Sequence, residues 1–226
     1  MKGLTNNQLK VLALIFMTVD HVGMILSPWS SWMRVVGRLA FPIFAFMIAE
    51  GCRHTRSMGK YLGCMALLAL GCQLVDYFQR GSLYQSILVT FSLSIGLIWL
   101  LQQAGKKCSV LWIGLGVLGF FGAYFICEIL PGLLPDTDFH VSYGFVGVLV
   151  PVAVYLGRNK LQKLLLLTAS LAVLSYGQGQ IQWYCLLAVP ILALYNGRRG
   201  KWKMKWLFYI YYPVHLAAIY GISFLL

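Results

Sequence analysis

The sequence predicts an all-α fold, a polytopic integral membrane helix bundle of about nine transmembrane helices, and three observations predict it. Hydrophobic residues make up 60% of the 226 and charged residues 11%, where a soluble domain carries roughly 25% charged residues. The apolar residues run in unbroken stretches of near-spanning length. The basic residues gather at alternate breaks between those stretches.

Mean hydropathy is +0.76, and one water-soluble core of this size has no room for so much apolar surface. A soluble enzyme, a disordered regulator and a collagen-like fibre are thereby excluded. A spanning helix takes about 20 mainly apolar residues, so nine of them fill the chain, and 1–226 reads as a single transmembrane domain with tight loops. A transmembrane barrel would alternate apolar and polar residues, and these runs do not.

The stretches fall near 9–27, 32–52, 61–78, 86–103, 110–130, 141–157, 162–176, 181–196 and 206–225. The first holds Asp20 and His21 within its apolar run and is followed by no A-x-A site, so it reads as a retained span and not a signal peptide. The seventh and eighth are short. Lys2 and Lys10 precede the first stretch; Arg53, Arg56 and Lys60 follow the second; Lys106 and Lys107 follow the fourth. Arg158, Lys160 and Lys163 follow the sixth, and Arg198, Arg199, Lys201, Lys203 and Lys205 follow the eighth. Of the 18 Lys and Arg, the opposite loops hold only Arg80, and Arg34 and Arg38 lie inside the second stretch. The positive-inside rule then places the N-terminus in the cytoplasm and the C-terminus outside. The net charge of +12 is thus a topology signal and not a nucleic-acid footprint. The six cysteines show no CxxC spacing and mostly sit within spans, which argues against disulfides and structural zinc.

Ionisable side chains inside a bilayer are costly and are functional candidates by default. His21 lies roughly 18 Å along the first stretch, Arg38 about 9 Å from the outer end of the second, and His215 roughly 13 Å along the ninth. With Asp20 they share one layer near the midplane, and they form one polar site if stretches one, two and nine meet. Asp20 pairing structurally with Arg38 is the plain alternative, with Arg34, one turn away on the same face, meeting headgroups. Glu50 and His54 stand four apart on one face; they make either a structural pair or, with Arg53, Arg56 and Lys60, an entrance for a phosphate-bearing ligand. Topology alone accounts for the cluster Arg198 to Lys205.

Two motif matches carry less than they promise. Gly114, Gly116 and Gly119 spell G-x-G-x-x-G, but the dinucleotide fingerprint needs a preceding strand; here the glycines lie in an apolar span, where Gly119 and Ala123 form a small-xxx-small packing pair. Asp136, Asp138 and His140 lie in an outer loop flanked by Pro131 and Pro135, and read as a solvated turn before a metal site. No metal is expected.

Three strings are more specific: Asp20-His21-Val22-Gly23; Gly37-Arg38-Leu39-Ala40-Phe41-Pro42-Ile43-Phe44-Ala45-Phe46, continuing to Ala49-Glu50-Gly51, His54-Thr55-Arg56 and Lys60-Tyr61; and Tyr211-Tyr212-Pro213-Val214-His215-Leu216. The chain resembles the TraX family, densely over 9–61 and 206–220; the pattern departs after Lys60-Tyr61, where Leu62-Gly63-Cys64 stands. The family's namesake acetylates the N-terminus of F-type conjugative pilin, and the family is grouped with membrane-embedded acyltransferases that use acyl-CoA. The resemblance implies acetyl-CoA or another acyl-CoA as donor, a peptide, protein or glycan acceptor, and the bacterial cytoplasmic membrane as location; a homo-oligomer is compatible with it, and no nucleic acid is expected. It further implies His21 as general base with Asp20 orienting or charging it, Arg38 stabilising the oxyanion, and His215 as a second acid/base or a group that positions the acceptor. Pro42 and Pro213 would kink their helices to open a cavity. A proton-coupled transporter is the alternative reading, and a non-catalytic scaffold the third.

Overall fold

The computed structural model describes residues 3–201, 205–223 and 225, with the side chains of 205–209 left aside; Lys2 and Lys203 of the basic clusters lie outside it. Among the described residues there are helices and two isolated bridges, Leu4 with Tyr195 and Gln85 with Val141, and no strand. The helices are α1 (Asn6–Ile25), α2 (Ser31–Gly37), α3 (Ala40–His54), α4 (Met58–Arg80), α5 (Ile87–Lys107), α6 (Val110–Tyr124), α7 (Leu130–Leu133), α8 (Gly144–Leu156), α9 (Lys160–Gln178), α10 (Ala188–Ala193) and α11 (Lys205–Ser223). A π-helical turn, Phe125–Ile129, joins α6 to α7, and a 3-10 segment, Gln180–Leu187, leads into α10. Among the described residues each apolar stretch of the sequence is mainly helical.

Among the described residues five helical segments are long and apolar enough to cross a membrane: Asn6–Ile25, Ser31–His54, Met58–Arg80, Ile87–Lys107 and Val110–Leu133. Gly144–Leu156 and Gln180–Ala193 are apolar but shorter. At about 1.5 Å per residue the first of these reaches roughly 20 Å against a hydrocarbon core of ~30 Å.

The helix ends follow from their sequences. Thr5 closes a capping box with Gln8 at the start of α1. Ser57 accepts from the Lys60 amide at the start of α4, and Gly81, in the left-handed region at φ 66°, ends that helix. The second stretch breaks at Arg38–Leu39. Pro42 has no amide to give the Arg38 carbonyl, and its ring crowds that carbonyl; here the Arg38 amide is shared between the Arg34 and Val35 carbonyls, and the Leu39 amide closes on Val36 by a three-residue bond. The helix is therefore interrupted one turn before Pro42, at the candidate Arg38 itself. α11 runs unbroken through Pro213.

The chain forms two compact units, Met1–Met47 with Leu164–Leu226, and Ile48–Lys163. In the first, Leu14, Met17 and Ala40 make a buried cluster with Phe16, Phe44, Tyr211 and Tyr212 against it. Phe46 meets Tyr195 edge-on at 5.7 Å. In the second, α5 is central, packing against α4, α6 and α8. Gly119 lies against Leu100, where an added Cβ would overlap the leucine's Cδ1, whereas Gly114 and Gly116 have no such neighbour among the described residues, so close packing is confined to Gly119 of the three glycines. Leu67, Leu70, Phe78, Leu111, Leu118 and Phe121 on α4 and α6 are exposed; so broad an apolar exterior suits lipid and not water.

α8 is buried along most of its length, and charges of opposite sign meet its two ends. Glu128, on the π-helical turn, accepts from the Phe145 amide at 2.8 Å. Arg53 donates to the carbonyls of Tyr155 and Gly157 and lies 5.0 Å from the Tyr155 ring. An anion at the N-terminus and a cation at the C-terminus both complement the helix dipole.

In the loop, the Ser82 hydroxyl donates to Asp138 at 2.5 Å and the Leu83 amide at 2.7 Å. These bonds hold the Asp138 carboxyl below the usual carboxylate range. The link is therefore fully present above that ordinary range and is lost as pH falls through the lowered value. Protection of the Leu83 amide, its exchange rate measured against the intrinsic rate at the same pH, is expected to hold at pH 5 and to be lost only in more acid solution; in Asp138→Asn the pH dependence of that protection is expected to disappear. Among the described residues no group of three or more His, Cys, Asp or Glu side chains is placed to hold a metal ion.

Candidate functional site

Of the four residues placed at one depth by the sequence, all lie in the first unit. α1 and α11 pack together. His21 Nδ1 and His215 Nε2 are 2.9 Å apart, with ring centroids at 5.0 Å. His215 Nδ1 is 2.8 Å from the Tyr211 carbonyl. That carbonyl can only accept, so His215 Nδ1 carries a proton. Neutral His215 then accepts at Nε2 from His21 Nδ1–H, and the His21 lone pair stands on Nε2. His21 Nε2 has no partner among the described residues.

One turn earlier on each helix a second bond ties the same pair. The Thr18 hydroxyl donates to Leu14 O at 2.9 Å, so the Tyr211 hydroxyl donates to Thr18 Oγ1 at 2.7 Å. The Tyr211 ring stacks on His215, 5.2 Å away and tilted 13°, and Tyr212 meets His215 edge-on. The matching order, Thr18 with Tyr211 and His21 with His215, makes α1 and α11 parallel.

Asp20 requires a correction. Its Oδ1 accepts from Arg34 Nη1 at 2.7 Å, and the same nitrogen reaches the Asp20 carbonyl at 3.3 Å. The carboxylate thus pairs with Arg34, not Arg38, and does not touch His21. Adjacent residues of a helix point to different faces; what orients His21 is His215. Gly37 makes the approach possible, since an added Cβ there would overlap the Asp20 side chain.

Arg38 stands beside this pair, within electrostatic reach of Asp20, and donates from Nη1 to Gln182 Oε1 at 3.3 Å. Gln182 is 3% exposed. Arg38 Nε and Gln182 Nε2 are both buried without a hydrogen-bond partner among the described residues. A buried donor left unmet costs about 1–3 kcal/mol. Sequence reading missed Gln182, Thr18 and Tyr211: Gln182 gave no signal, being one of several glutamines beside a glycine-rich break, whereas Tyr211 belongs to the string that carries the family resemblance.

The second unit holds the residues read as a phosphate entrance. Glu50 is buried and ion-paired with Lys163. His54 Nδ1 donates to the Glu50 carbonyl at 2.8 Å, so the expected side-chain pair of Glu50 with His54 is replaced by a backbone bond, the carboxylate being taken by a cation. Arg53 is engaged at the end of α8. His54, Arg56 and Lys60 are exposed. An open, mainly apolar cleft of about 520 Å³ lies between α4, α5 and α6, and its lining includes Ala66, Gly96 and Gly119; it holds none of the candidate groups.

The first unit of this helical membrane protein thus holds a hydrogen-bonded imidazole pair, a half-buried arginine and, among the described residues, two buried donor atoms without a partner. The family model described as TraX protein matches residues 5–223, and the chain belongs to the TraX family. It is 28% identical to the probable fimbrial assembly protein FimC, serogroup H1, of Dichelobacter nodosus, over 94% of this chain and 93% of that one. It is 27% identical to Protein TraX of Escherichia coli (strain K12), over 74% of this chain and 62% of the relative. A short match, 52% identical over 44 residues, joins it to the uncharacterized protein RP591 of Rickettsia prowazekii (strain Madrid E), covering 18% of that protein. No solved structure matches.

Proposed function

We propose that this protein is a membrane-embedded acyltransferase that moves an acetyl or other acyl group from acyl-CoA to an amine or hydroxyl acceptor. The observation that carries the reading is the hydrogen-bond chain Tyr211 carbonyl, His215, His21, which leaves a basic nitrogen at His21 Nε2. That nitrogen takes the proton of the acceptor as the acceptor's nitrogen or oxygen attacks the thioester carbonyl. The tetrahedral intermediate carries its negative charge on the former carbonyl oxygen, which Arg38 stabilises. Its collapse breaks the carbon–sulfur bond, and the proton held by His21 goes to the departing CoA sulfur. The relative named for fimbrial assembly favours a peptide or protein acceptor of the surface-fibre kind. The protein resides in a bacterial cytoplasmic membrane, with nine crossings, the N-terminus cytoplasmic and the C-terminus outside; the parallel course of α1 and α11 supports an odd number.

The test is release of free CoA from acetyl-CoA by the purified protein in lipid, with His21→Ala alongside. Turnover that disappears in the variant is expected. Absence of release, with no effect of CoA or acetyl-CoA on thermal stability, removes the donor. The helix break at Arg38–Leu39 is also what a proton-coupled carrier would use, and proton-coupled uptake would then lead.

Exposed Arg56 and Lys60 attract the phosphates of CoA. Replacing both by Ala is expected to raise KM for acetyl-CoA about three- to tenfold at low salt, with kcat little changed and the difference shrinking at 0.5 M salt. Steady-state kinetics at two ionic strengths check this.

A further inference from the structure

We infer that Arg38 and Gln182 together form a two-donor pocket for a proton-free oxygen, and that Gln182 is a second oxyanion-stabilising residue; the reaction assigned to the pocket rests on the acyl-transfer reading. Gln182 sits on the 3-10 segment and is nearly fully buried. Its Oε1 is taken by Arg38 Nη1. That bond fixes the amide so that Nε2 is the group left over. Among the described residues Nε2 is buried and unmatched, and so is Arg38 Nε. Cys185, one 3-10 turn on, offers the amide only a thiol, a weak acceptor.

Both leftover groups donate, and one belongs to a cation. The chemistry they fit is an acceptor without a proton: a carbonyl oxygen, a carboxylate or a tetrahedral oxyanion. A metal ion or an ammonium group finds no acceptor there, because the amide oxygen is already engaged. His21 Nε2, in the same unit, is the complementary acceptor. The two halves divide acyl transfer between them: the proton goes to His21, and the negative charge formed as the acceptor adds to the thioester carbon goes to Arg38 and Gln182. A donor aimed only at the transition state serves best when it is held in place and unmatched in the ground state.

The test uses the full chain in lipid bilayers as wild type, Gln182→Leu and Gln182→Glu. CoA release from acetyl-CoA is one readout. The other is the thermal unfolding midpoint with and without acetate, whose carboxylate presents the required acceptor. Gln182→Leu is expected to lower kcat about 10²-fold, with KM for acetyl-CoA changed less than about twofold. Gln182→Leu also takes the acceptor from Arg38 Nη1 and is expected to lower the midpoint without acetate, whereas Gln182→Glu keeps that acceptor, lacks only the amide donor, and is expected to lower kcat with a midpoint that equals or exceeds the wild-type value. Acetate is expected to raise the wild-type midpoint and to leave both variants unmoved. A Gln182→Leu protein that keeps turnover and the acetate shift overturns the pocket while leaving acyl transfer standing. A Gln182→Glu protein that keeps turnover overturns it too, by assigning Gln182 to propping Arg38 through the acceptor that glutamate retains. A wild type that releases no CoA but shows a Gln182-dependent acetate shift keeps the pocket as a carboxylate site and removes the acyl-transfer reading.

Discussion

Replacing His21 by Gln is expected to lower CoA release from acetyl-CoA by about 10²–10⁴-fold, with the thermal midpoint little changed. Glutamine keeps an amide donor that can reach His215 Nε2, the partner His21 now meets at 2.9 Å, but it offers no base. His215→Asn tests the same chain one step back. It leaves the His21 imidazole in place while removing the acceptor that fixes its tautomer, so a smaller loss and an altered pH–rate profile are expected. Equal losses from the two variants, with no change in profile, would instead make the pair two independent acid/base groups. An unchanged rate in His21→Gln would remove His21 from the chemistry altogether. Steady-state kinetics over pH 5–9 with both variants in lipid separates these results.

The helical character of the chain was legible because it rests on solvent. Lipid demands helices or closed barrels, and continuous apolar runs leave only helices. Depth, read as residues from a helix end, grouped His21 with His215 although their counts from the helix starts differ by more than a turn; the two helices run parallel, and Thr18 with Tyr211 one turn earlier sets their register. Depth failed for Asp20 because Arg34 and Arg38 differ by one turn, and tertiary approach decides between them. That approach depends on Gly37 giving Asp20 room and on the break that Pro42 imposes at Arg38–Leu39; the proline was noticed as a kink, but the carbonyl it orphans lies four residues earlier. Gln182 escaped notice for a different reason: an uncharged amide in a short apolar segment has no marker of its own, and only its burial against Arg38 gives it meaning. Arg53 and Glu50 looked like ligand groups because a basic cluster at a membrane face serves topology, capping and binding alike. Only the positions of α8's terminal carbonyls and of Lys163 tell these uses apart.

Arg34→Leu is expected to destabilise the protein by about 2–4 kcal/mol, well above the ~0–1 kcal/mol of an exposed ion pair. The difference comes from what is left behind. The two side chains are 25% and 21% exposed, and Asp20 without Arg34 keeps a carboxylate inside a helical bundle with only the electrostatic reach of Arg38 to offset it. Asp20→Asn in the Arg34→Leu background removes that orphaned charge and is expected to restore much of the loss, giving a double-mutant coupling of about 1–3 kcal/mol. Additive losses would show that the pair contributes packing and no charge compensation. The same variants decide the role of Asp20 in the chemistry. If His215 alone orients His21, Asp20→Asn keeps CoA release within about tenfold of wild type, because a uniform environmental charge shifts a base less than the loss of its tautomer partner does. A collapse of turnover in a stably folded Asp20→Asn protein would return Asp20 to the catalytic group, acting on His21 through the field of its charge and not through a bond.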